Sequence, residues 1–255
     1  GNRFSGYGGF AFDQELHDSG EKVILNQRGA WNGNDFIRIL LAHPATSRRL
    51  AWRLCSLFFG ENTIEAQAQE ALALGLRKRD LDISWAVETI LRSQAFFSEK
   101  NLRCRVVGPV DLVVSATRML ELFENPPSTL LLADRAARLG QNLFAPPNVG
   151  GWAGGRRWIS TRTMISRANF AAALIGGKLN RSRKAFDALA HARQHQRAKD
   201  LPTLARFYSQ LLLGGIPSGQ WMSQILKPFG AGKLTEKNAQ RCVALILASP
   251  EAQIS

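Results

Sequence analysis

From Asn34 to the end of the chain, apolar residues recur at intervals of three and four, and Pro, Gly or a capping residue breaks each run. That period puts the apolar side chains on one stripe of an α-helix. Asn34 can cap a helix over DFIRILLAH, which Pro44 stops. Thr46 opens the next, with Leu50, Leu54, Leu57 and Phe58 on one face. Ile64, Ala68, Ala71, Leu72 and Gly75 keep the spacing, and after Asp80 or Asp82 so do Ile83, Ala86, Val87, Ile90 and Leu91. Pro109 fits the first turn of a helix carrying Val110, Val113, Val114, Thr117 and Leu120. NPPS ends it, and Ser128 caps another that runs to Leu139–Gly140. Ser160 or Thr161 starts a helix from about Arg162 to Ile175, and more are expected over 183–194, 201–213, 218–228 and 235–248. Helix after helix with short breaks predicts an all-α, multi-helical fold.

Two features interrupt this pattern. FAF and KVIL are short apolar runs on either side of the polar stretch HDSGE, which predicts a short N-terminal β-hairpin. Residues 143–160, LFAPPNVGGWAGGRRWIS, form one long Pro/Gly/Trp-rich loop. The expected organisation is a main helical domain over 1–177, holding the hairpin and the loop, and a C-terminal helical subdomain over 178–255. The basic break at 178–200 would be the hinge, unless the two pack as one domain.

Hydrophobic residues make up 45% and charged residues 21% of the 255, enough for a packed core. No apolar run approaches the ~20 residues that span a bilayer. The first residues, GNRFSGYGGFAF, lack the apolar stretch of a secretory leader. Three cysteines are too few for a disulfide framework, although one disulfide stays open; Cys55 and Cys242 fall on apolar helical faces and are expected in the core. His191 and His195 are spaced to chelate a metal, but HARQH has no acidic residue beside it. The pair is therefore assigned to a solvated helix face, and no metal or cofactor is expected.

Net charge is +13, from 33 Lys and Arg against 20 Asp and Glu. Between Asp134 and Asp187 there is no acidic residue and there are ten basic ones: Arg135, Arg138, Arg156, Arg157, Arg162, Arg167, Lys178, Arg181, Arg183 and Lys184. Charge of one sign this concentrated points to an anionic partner, or to a surface that only keeps the chain soluble.

The 143–160 loop lies inside that block. Pro146 and Pro147 stiffen it, and four glycines permit positive φ and close approach. It runs into a helix N-terminus, where free N–H groups favour an anion. Arg156, Arg157 and Arg162 can add donors, and Trp152 and Trp158 can wall the site or stack on a ring. The competing reading is packing: Phe144, Val149, Trp152, Trp158 and Ile159 would anchor the loop on the helical core. On residues alone packing is the stronger reading, and the glycine spacing is not that of a Walker loop.

His17 and Asp18 form the other candidate. A His-Asp pair can act in catalysis or hold a metal with help from elsewhere, and Asp13 and Glu15 are near. The same residues make an ordinary capped turn. There is no G-x-S-x-G serine and no Cys-His arrangement. TLARFYSQLLLGGIPSGQWMSQIL resembles a helix-turn-helix only loosely, and sequence-specific DNA binding is not expected.

Four segments carry a family resemblance: HDSGEK (17–22), NDFIRILLAHPATSRRLAWRLCSLFF (34–59), GPVDLVVSATRML (108–120) and LGQNLFAPPNVGGWAGGRRWISTRTMISRANF (139–170). The chain resembles the bacterial "domain of unknown function 1800" family, and corresponds to roughly its C-terminal half. Asn26–Gln27 and Arg53 depart from the usual pattern. The resemblance implies an exported protein and a sulfatase-like neighbour as partner; it brings no agreed activity or catalytic residues. Two functions are then expected. The first is a non-catalytic binding or assembly module whose basic face meets an acidic protein or anionic polymer. The alternative is a hydrolase of anionic or glycosidic substrates, using His17 and Asp18 with the loop arginines.

Overall fold

The computed structural model describes residues 2–4, 10–60, 63–195, 199–230 and 232–255. They are mostly α-helical, with two small antiparallel strand pairs near the N-terminus. Two compact units emerge, residues 1–98 and 99–255. The division falls at 98/99, while helices on both sides of the basic break at 178–200 share one core.

In the first unit, β1 (Asn2–Phe4) pairs with β2 (Phe10–Phe12), and β3 (Lys22–Ile24) pairs with β4 (Gln27–Gly29). FAF and KVI therefore do not pair with each other. The KVI strand instead turns back through Leu25 and Asn26, both at positive φ (47° and 66°), the signature of a two-residue hairpin turn. Four helices follow: α1 (Gly33–Ala42), α2 (Pro44–Phe58), α3 (Ala66–Lys78) and α4 (Ile83–Leu91). Asn32 rather than Asn34 caps α1, because Asp35 completes a capping box with it. His43 rather than Thr46 caps α2, with Pro44 in its first turn. Asp82 caps α4 as expected. The core gathers Ala51, Cys55, Phe59, Leu72, Leu76, Ala86 and Ile90. Gly75 is needed there: a Cβ would come within 2.0 Å of the Trp85 ring.

The second unit holds α5 (Pro109–Met119), α6 (Thr129–Arg138), α7 (Thr161–Ile175), α8 (Ala188–Gln194), α9 (Leu201–Leu213), α10 (Gly219–Leu226) and α11 (Glu236–Ala248). Helix α11 is central and packs against α7, α8, α9 and α10. Its Ala239, Cys242, Val243 and Ile246, at three- and four-residue spacing, are fully buried. Cys55 and Cys242 are both buried and unbridged. Among the described residues no helix is long and apolar enough to cross a membrane.

Candidate functional site

The long loop begins where α6 ends. Gly140 sits at φ 105°, and its N–H and that of Gln141 bond back to the Ala137 and Ala136 carbonyls. That closes the helix with a Schellman motif. The Asn148 side chain accepts from the Gly150 N–H and makes a tight turn. Gly154 (φ 69°) and Gly155 (φ 53°) then lead into a single 3-10 turn, Gly155–Trp158. Ser160 caps α7 through a capping box with Thr163. Thr163 Oγ1 also reaches the Trp158 carbonyl at 2.9 Å and ties the 3-10 turn to the helix start.

This path puts Pro147, Trp152, Arg157, Trp158 and Arg162 around one cleft of about 300 Å³, floored by Leu139, Gly140, Ser160 and Thr163. Both tryptophans are half-buried, and both arginines are exposed. The predicted residues Trp152, Arg157, Trp158 and Arg162 thus come together. Arg156 is exposed but does not line the cleft.

The packing reading fails for the other apolar loop residues. Phe144 is 98% exposed and Val149 wholly so; Leu143 and Ile159 are also exposed. The basic block is thinner at the surface than in the sequence. Arg167 is 1% exposed and donates to Gln253 Oε1 and the Val107 carbonyl, both at 2.8 Å. Burial holds its guanidinium down at about 10. Arg138 pairs with Asp134 at 2.8 Å. The remaining cations of the loop and the 178–184 break are exposed.

His17 and Asp18 lie in the first unit, in a connector rather than a hairpin turn. Asp18 is exposed, accepts from the Gly20 N–H at 2.8 Å, and pairs with Lys22 at 3.7 Å. The Gly20 bond, with Lys22 next, holds its carboxyl below the usual carboxylate range. His17 packs its ring on Phe12. These are the contacts of a structural turn.

A second cluster went unseen in the sequence. His191 is only 6% exposed, so the pair it forms with His195 is not a solvated face. Glu121, at the end of α5, supplies the acidic neighbour that HARQH lacks. Its Oε2 stands 3.6 Å from His191 Nε2 and 3.5 Å from His195 Nε2. Only the i, i+4 histidine spacing was a sequence signal; the carboxylate comes from a distant helix end. Glu121 and His191 also line a cavity of about 500 Å³ with Phe123, Lys184, Phe186 and Asp187.

The fold and loop define a helical domain with an arginine- and tryptophan-lined cleft at the start of one helix. The chain belongs to the family described as "Protein of unknown function (DUF1800)", which matches residues 1–254. No curated protein and no solved structure shows significant similarity to it.

Proposed function

We propose that this protein is a non-catalytic binding module that takes an anionic group of a polymeric partner into the Trp152–Arg162 cleft. One observation carries the reading: Trp152, Arg157, Trp158 and Arg162 line the same cleft. Guanidinium forks suit sulfate, phosphate or carboxylate, and the indole faces suit the ring that bears it. Among the described residues the lining includes no carboxylate, imidazole or thiol. A hydrolase needs a positioned acid or base within hydrogen-bond reach of the reacting atom, so the lining favours binding over hydrolysis. Exposed cations at Lys178, Arg181, Arg183 and Lys184, past the other end of α7, would give a long polyanion a second contact that a lone small ion could not use.

The test is fluorescence anisotropy with a fluorescein-labelled heparin oligosaccharide, on the wild type, R157A/R162A and the control R181A/R183A. Losing two charge-assisted contacts should weaken binding by about tenfold or more. The control should lose less, and raising salt should weaken the wild type. Equal losses in both double variants would reduce the interaction to bulk charge and contradict the cleft.

A further inference from the structure

We propose that Glu121, His191 and His195 form a binding site for a single divalent ion of the zinc type. The site goes beyond the anion cleft and shares no residue with it.

The geometry fits. Two atoms each about 2.0–2.1 Å from one tetrahedral zinc ion stand roughly 3.3–3.4 Å apart. The Glu121 oxygen is 3.6 and 3.5 Å from the two Nε2 atoms, and one ligand atom from each of the three residues lies within 4.8 Å of the other two. Imidazole and carboxylate together suit zinc and its first-row neighbours, and do not suit magnesium or calcium. Three protein ligands leave a fourth position for water or an anion.

The proton arrangement of His191 also fits. Tyr208 donates its hydroxyl proton to the Ala188 carbonyl at 2.9 Å. Its oxygen is then left to accept, so the His191 Nδ1 at 3.1 Å carries the proton. In the neutral ring the lone pair is on Nε2. That atom is buried and has no hydrogen-bond partner among the described residues. An unpaired buried nitrogen is costly and calls for an explanation; a cation answers it. Phe207 stacks on His195, and Phe186 and Tyr208 pack on His191, so both rings are held from behind. Outer partners of this kind orient ligands and tune affinity.

The backbone at Glu121 sets up the test. Helix α5 ends in a Schellman motif, with the Glu121 and Leu122 N–H groups bonded to the Arg118 and Thr117 carbonyls. Helices α6 and α7 end the same way and put Gly140 (φ 105°) and Gly177 (φ 70°) at the left-handed position. Helix α5 puts Glu121 there, at φ 51°. Glycine is the favoured residue at such a position, so the glutamate is held against backbone preference.

The experiment is zinc calorimetry on the untagged full chain, with visible spectroscopy of bound Co²⁺. One equivalent and tetrahedral Co²⁺ bands are expected. E121G should keep or raise the melting temperature while zinc affinity falls by at least about a hundredfold, and H195A should lose affinity to a similar extent. Y208F removes the acceptor that fixes the His191 tautomer and should cost about tenfold. No saturable zinc in the wild type, or wild-type affinity in both E121G and H195A, would overturn the site. Unchanged affinity in Y208F would remove the positioning role of Tyr208.

Discussion

The two clefts of residues 99–255 are built in opposite ways. The loop cleft comes from one contiguous stretch, with exposed arginines and half-buried indoles. The Glu121 cluster joins the end of α5 to one face of α8, with a buried imidazole at its centre. Exposed guanidinium groups are hydrated and lose little by waiting for a ligand. A buried Nε2 without a hydrogen bond loses free energy until a donor or a cation meets it. The first therefore suits a reversible, salt-sensitive contact, and the second a tightly held ion.

Stability separates the loop from the core most strongly. If the loop were a packing lid, its tryptophans would matter as much as core aromatics. Phe170, fully buried on α7, should cost about 3–5 kcal/mol as Phe170→Ala. Trp152→Ala should cost clearly less, about 1–2 kcal/mol, because its ring is only partly buried. Urea unfolding of both variants decides it, and equal losses would return the loop to a purely structural role.

Next in size is the left-handed position. Glu121→Gly should raise stability by about 1 kcal/mol without metal, since glycine removes the backbone penalty. A loss in thermal unfolding would mean that Glu121 is held by packing instead. The smallest effect belongs to Phe144. It is 98% exposed at φ 63°, so Phe144→Ser should change stability by less than about 0.5 kcal/mol. A larger drop in melting temperature would show that the ring packs after all.

The same contrast explains what could be read from the sequence. Helix positions follow from local spacing, and 201–213 and the body of 235–248 fall where the periodicity puts them. The loop residues were legible as a set because they are neighbours in the chain. Their exposure was not: no local rule says that Phe144 and Val149 point away while Trp152 and Trp158 turn in. The strand pairing was misjudged because FAF has a partner upstream at Asn2–Phe4, and Leu25–Asn26 makes the second hairpin. Arg167 read as surface charge, yet its partners are the Val107 carbonyl and Gln253, both distant in sequence. Glu121 was invisible for the same reason, since a long-range contact leaves no mark at short spacing.

The most direct test puts both ligands on the same two variants. Labelled heparin oligosaccharide and zinc are titrated separately into R157A/R162A and E121G. A double dissociation is expected: R157A/R162A loses the oligosaccharide and keeps zinc, and E121G loses zinc and keeps the oligosaccharide. Loss of both ligands in either folded variant, or of neither in both, would contradict it.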